Sequence, residues 1–202
     1  MPSLVGSEMC IRDSYWDHSL GLSRYLAVNQ YLVFEKNEIW RLFSSSFIHG
    51  DLDHFLSNTL MLFILTYFVT AFYGAKASIG LGFIMGIFIN LFVINLYGPH
   101  TYLVGASGVI FYLWGFWLVL YVLIERQMSL IKRLLRATGV FIILLIPTTY
   151  SPNTSYIAHY YGFALGLLIG VIYFIFNSKR LQSYELYEYR ICLLYTSPSP
   201  RD

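Results

Sequence analysis

The sequence predicts an all-α polytopic membrane protein, a helical bundle of five spans. Three observations carry that expectation. The 202-residue chain is 57% hydrophobic. Only 12% of it is charged, where a soluble domain carries about 25%. Five apolar segments, 55–73, 77–97, 106–124, 131–147 and 156–176, approach the roughly 20 residues that cross a bilayer. Their cores hold no Lys, Arg, Asp or Glu. The net charge of +2 argues neither for nor against nucleic acid, and no basic stripe is present; the expected partner is the lipid bilayer, with no nucleic acid.

The two ends read differently from the middle. Met9-Cys10-Ile11-Arg12-Asp13 can be coded ATG TGT ATA AGA GAC, the reverse complement of a string contained in a coding of Cys192–Ser197. Such an inverted repeat resembles a sequencing adapter translated in frame. Segments 1–14 and 191–202 are therefore expected to be adapter-derived and are set aside from fold reasoning. Both cysteines lie in those ends, so cysteine usage says nothing about redox compartment.

Segment 15–54 precedes the first span. Apolar residues are frequent, but Arg24, Asn29, Gln30, Glu35, Lys36 and Glu38 interrupt every long run. This pattern predicts an amphipathic stretch lying at the interface, with Trp40 as an interfacial aromatic. His49-Gly50-Asp51-Leu52-Asp53-His54 then leads into the span, where Asp51 or Asp53 can cap the helix. His54 and Asn58 are four residues apart and share a face, whereas His49 is off that face by roughly 140°. Asn58 lies about one turn into lipid and needs a partner.

The second span contains Gly82-x-x-x-Gly86, a close-packing signal, and Asn90. The loop 98–104 is uncharged and holds His100, read as a loop histidine. The third span opens on Gly105-Ala106-Ser107-Gly108, a serine between glycines at a helix mouth, with Phe111 one turn later. Arg126, Lys132, Arg133 and Arg136 are expected to form a basic loop before the fourth span, which ends at Pro147. In the fifth span Gly162, Gly166 and Gly170 form a smooth ridge, and His159 lies on the side of Gly162. The segment 177–190 reads as a polar cytoplasmic tail.

Basic residues fall on alternate connections: Lys76, then the 125–136 segment, then Lys179 and Arg180. The positive-inside rule places those connections in the cytoplasm. The first, third and fifth spans then all begin on the outer side. His54, Asn58, Ser107 and His159 converge at one depth just below that surface. The set suits acyl transfer. Ser107 is the serine of the third span, and with no acid in the spans His159 is the base available to it. Asn58, His54 and the Ser107 backbone N–H can donate to an oxyanion.

These residues resemble the rhomboid intramembrane serine proteases. The features are Trp40-Arg41, then His49, His54 and Asn58, then Gly105-x-Ser107-Gly108, then Ala158-His159-x-x-Gly162-x-x-x-Gly166, covering about residues 25–176 in family order. The resemblance implies a Ser107–His159 dyad without cofactor or metal. It implies an oxyanion hole of His54, Asn58 and the Ser107 amide, and a first loop containing Trp40 and Arg41. It gives His49 a structural role. The implied substrates are single-span or polytopic membrane proteins, cut near their extracytoplasmic end. The implied location is a membrane, expected to be the bacterial cytoplasmic membrane, with the site facing outward. The family usually has tyrosine where this chain has Phe111. Its core has six spans, so the span before the first loop is expected to be missing here. Two other readings stand beside this one: a rhomboid-like pseudoprotease that binds membrane clients without cutting them, and a channel or transporter fragment with a polar histidine site.

Overall fold

The computed structural model describes residues 23–125, 128–145 and 154–182. The expectations for 1–14, 183–202, Arg126 and Pro147 lie outside those residues. Among the described residues the chain is helical, with one isolated bridge between Val28 and Leu103.

Among the described residues, three short helices lie before the first span: α1 (Ser23–Leu26), α2 (Gln30–Phe34) and α3 (Arg41–Ser44), followed by a 3-10 turn at Ser45–Phe47. None is long enough to cross a membrane, as the broken apolar pattern predicts. Asn29 caps α2, its side chain accepting from the Leu32 N–H at 2.7 Å. The bridge from Val28 to Leu103, and the Tyr31 N–H donating to the Pro99 carbonyl at 3.0 Å, pin this region to the 98–104 loop. Tyr25, Phe34, Ile39, Trp40, Phe43 and Phe47 are exposed, the apolar outer face of an interfacial segment.

Among the described residues, four helices are long and apolar enough to span. They are α4 (Leu52–Tyr73), the 76–94 segment, α6 (Ser107–Ile124) and α8 (Tyr156–Gln182). Asp51 is the cap of α4, accepting from the His54 N–H at 2.7 Å. The 76–94 segment begins with one turn of π-helix, Lys76–Gly80, and continues as α5 (Leu81–Ile94). Its glycines face α6, with Val109 Cγ1 3.7 Å from where a Gly82 side chain would begin. The fourth expected span is α7 (Leu130–Leu145), with 16 residues. Here the expectation needs correcting. Lys132, Arg133 and Arg136 belong to the helix and not to a loop before it. The Arg133 guanidinium donates to the Val122 carbonyl near the end of α6, so the charge sits against a helix C-terminus where it is favoured.

The core runs along α6, where Ile110, Phe111, Tyr112, Leu113, Trp114, Phe116 and Leu120 are all buried. The glycine ridge of α8 lies directly against the α6 backbone. A methyl on Gly162 would overlap the Gly108 carbonyl, and one on Gly166 would lie 2.8 Å from the Phe116 nitrogen. Gly115 answers from α6, where a methyl would overlap the Phe163 carbonyl. Backbone-to-backbone contact of this kind is what small residues permit between helices in lipid.

The other end of the bundle is tied by charge. Arg180, in the last turn of α8, donates to the Tyr73 carbonyl at 3.0 Å and to the Tyr173 hydroxyl at 2.7 Å. This closes the C-terminus of α4. The helix runs on to Gln182, so the polar tail expected from 177 begins as helix.

Candidate active site

The N-terminal turns of α4, α6 and α8 meet at one end of the bundle, the end expected from the sequence. The turn into α6 needs Gly105, whose φ is +101°, a backbone conformation that residues with a Cβ rarely adopt. A side chain there would also begin 3.1 Å from His54 Cε1 and 3.5 Å from Asn58 Nδ2. The glycine therefore brings the α4 pair against the backbone that leads to Ser107. Asn58 is buried, and its Nδ2 has no hydrogen-bond partner in the protein. His54 is half-buried and Ser107 is partly open.

His159 lies in the first turn of α8. Its ring stacks on Phe111, with centroids 4.1 Å apart and planes 13° from parallel. Phe111 stands one turn beyond Ser107, so the stack holds the imidazole beside the helix that carries the hydroxyl. The backbones approach at the same level, where a Gly108 side chain would begin 3.9 Å from Ala158 Cβ. The loss of a tyrosine hydroxyl at Phe111 leaves this stacking intact. His159 Nε2 is buried and has no hydrogen-bond partner, so the Ser107–His159 bond is not made in this conformation. Catalytic hydrogen bonds are often long before substrate arrives and tighten in the complex.

Ser155 prepares the start of α8. Its hydroxyl accepts from the Ala158 N–H at 3.3 Å and meets the Tyr97 hydroxyl at 2.9 Å. Phe92 and Tyr161 stack at 3.9 Å between the second and last spans.

His49 packs its ring against His54, with centroids 5.2 Å apart, and against Phe55 at 5.4 Å. It is buried, and burial lowers its pKa from 6.5 to about 4, with the neighbouring His54 adding to the shift and Asp51 opposing it. A neutral ring that braces His54 fits these facts. Arg41 is not in the site. It is buried under the first loop, donating to the Ala27 carbonyl at 3.0 Å and pairing with Glu38. Trp40 beside it is 57% exposed and faces outward. Gly166 supports the α6–α8 packing two turns below His159. His100 is exposed in its loop, 5.3 Å from the Tyr31 ring.

Asn90 is the residue to which the sequence reading gave no role. It is buried in α5 and donates to the Leu42 carbonyl at 2.8 Å and to the Ser45 hydroxyl at 3.1 Å. The signal was available: an amide inside a span needs a partner, the argument already applied to Asn58.

The family model described as the Rhomboid domain matches residues 36–176. RHOMBOID-like protein 1 of Arabidopsis thaliana is 30% identical over 158 residues, covering 78% of this chain and 40% of that protein. Rhomboid-related protein 3 of Homo sapiens is 24% identical over 163 residues, covering 74% of this chain and 40% of that protein. The chain thus spans about 40% of the length of these relatives. No solved structure matches. The family match runs from the first loop through the last span and takes in Ser107, His159, His54 and Asn58 together, so the chain belongs to the rhomboid family.

Proposed function

We propose that this chain carries the active site of an intramembrane serine endopeptidase. The observation that supports it most is the Phe111–His159 stack beside the Ser107 helix mouth. In the proposed reaction Ser107 Oγ attacks the scissile carbonyl carbon. His159 takes the hydroxyl proton and then delivers it to the leaving amine as the peptide bond breaks. Water hydrolyses the acyl-enzyme with His159 again as base. The negative oxygen is stabilised by Asn58 Nδ2, His54 and the Ser107 N–H at the start of α6. With no acid in the dyad, the packing of His159 on Phe111 sets its orientation.

The substrates in this reading are membrane proteins with a transmembrane segment cut near its outer end. The basic residues Lys76, Lys179 and Arg180 lie at the end of the bundle opposite His54. By the positive-inside rule that end is cytoplasmic, and the site then opens to the extracytoplasmic side.

A second reading is a rhomboid-like protein that binds membrane clients without cutting them. The unmade Ser107–His159 hydrogen bond is the observation that favours it. A serine-directed fluorophosphonate separates the two. The protease reading expects mass-mapped adduct on Ser107, lost in Ser107→Ala and strongly reduced in His159→Ala. Equal labelling of all three proteins, or none of the wild type, contradicts the dyad.

A further inference from the structure

The second span contributes no group to the proposed chemistry, yet it holds the nucleophile loop through one side chain. Asn90 Nδ2 donates both to the Leu42 carbonyl and to the Ser45 hydroxyl. Ser45, 1% exposed, turns its carbonyl the other way and accepts the Gly105 N–H at 2.9 Å. Gly105 is the residue at φ +101° on which the turn into Ser107 depends. It is also the residue where an added side chain would begin 3.1 Å from His54 Cε1 and 3.5 Å from Asn58 Nδ2. The chain of contacts runs from Asn90 through Ser45 to the Gly105 amide, and every bond in it is direct.

We infer that Asn90 is a positioning residue for the Ser107 loop. It fixes the 3-10 turn at Ser45–Phe47, and that turn fixes the peptide that aims the nucleophile and the α4 donors at one point. Two features set it apart from a simple tie between a loop and a span. First, the amide uses both of its N–H groups on one turn of chain, so the turn cannot swivel about a single bond. Second, the carbonyl at that turn has its acceptor engaged by the residue two before Ser107. A small shift of Ser45 therefore moves the Gly105 peptide, and misplacement by about 1 Å at a reacting centre costs about 100-fold in rate.

The role in turnover rests on the protease reading, but the positioning itself has a readout that does not. The full chain is reconstituted in nanodiscs with 15N-glycine, and amide exchange is followed at Gly105 and at Gly166 as an internal control. Asn90→Leu keeps the volume and removes both donors. It is expected to speed exchange at Gly105 at least tenfold relative to Gly166. Turnover per phosphonate-titrated site should fall by about 10- to 100-fold, with KM within about twofold. Ser45→Ala keeps the carbonyl and one Asn90 bond, folds more securely, and should shift both readouts the same way by a smaller factor. Restoration by Asn90→Gln, which carries the same donors, supports positioning. Unchanged exchange at Gly105 in both variants overturns it. So does a loss of titratable sites with turnover per site unchanged, which is the mark of a merely structural tie. If Gly105 exchange responds while wild type has no Ser107-dependent turnover, the positioning stands and the protease reading fails.

Discussion

Gly162→Ala adds one methyl group at the place where α8 meets α6. In a helix interior that change is ordinarily favourable by about 1 kcal/mol, because alanine loses less entropy than glycine. Here the methyl would lie on the Gly108 carbonyl oxygen, with the carbonyl carbon at 3.3 Å and the Tyr112 nitrogen at 3.4 Å. Both neighbours are backbone and cannot swing aside. Ordinary contact between such atoms begins at about 3.5 Å, and the carbonyl oxygen is closer than either atom. The helices must part by on the order of 1 Å to relieve it. Gly108 follows Ser107, and Gly162 lies three residues after His159. The separation therefore opens between the two proposed reacting groups. Displacement on that scale costs about 100-fold in rate. The assay is turnover of a single-span substrate in proteoliposomes, normalised to folded protein, beside thermal unfolding in detergent. Gly139→Ala is the control, since nothing lies within 4 Å of that position. The account expects Gly162→Ala to lose turnover and to unfold earlier, and Gly139→Ala to do neither. A Gly162→Ala protein as active as wild type and more stable, as bare helix propensity dictates, refutes the close α6–α8 contact.

Three further outcomes follow from the same geometry. Asn58→Ala removes a proposed oxyanion donor and should lower kcat by about 100- to 1,000-fold while KM moves little; a rise in KM alone would assign Asn58 to substrate binding instead. Phe111→Leu removes the ring on which His159 stacks, and the loss of about 0.5–1.5 kcal/mol translates into about a two- to tenfold fall in turnover; Phe111→Tyr keeps the ring and should hold turnover, so equal losses in both would deny the stacking role. His49 has a folded pKa of about 4 against 6.5 unfolded, so the unfolded chain binds the extra proton between those values and stability falls as pH drops through that window. Unfolding midpoints of wild type and His49→Phe at about pH 7.5 and about pH 5 should show a steeper loss in wild type; equal slopes would remove His49 as the cause.

Much of the site was legible in the sequence because its determinants are local. Four-residue spacing placed His54 and Asn58 on one face, and the same periodicity set Phe111 one turn after Ser107. An aspartate cap at Asp51 or Asp53 follows from residue type and position before an apolar run, and the structure makes it Asp51. The glycine ridge of α8 was visible as an i,i+4 pattern, and the structure lays it against the α6 backbone. What escaped was long-range or made by irregular backbone. Asn90 finds its acceptors 48 and 45 residues away in a turn whose carbonyl directions no periodicity encodes. Arg41 is buried because the Ala27 carbonyl, 14 residues away, and the Glu38 carboxylate accept from its guanidinium, whereas residue type alone places arginine at the surface. The assignment of Lys132, Arg133 and Arg136 to a loop failed for a different reason. Lys132, Arg133 and Arg136 broke the apolar run, but charge interrupts hydrophobicity without interrupting a helix.

The central claim is that Ser107 and His159 act together to cut a peptide bond. The direct measurement is cleavage of a fluorescent single-span substrate by wild type, Ser107→Ala and His159→Ala in the same liposomes. The account predicts Ser107-dependent product from a cut near the outer end of the substrate's span, and background levels from both variants. Cleavage that survives either substitution, or a wild type that binds the substrate and never cuts it, contradicts the account.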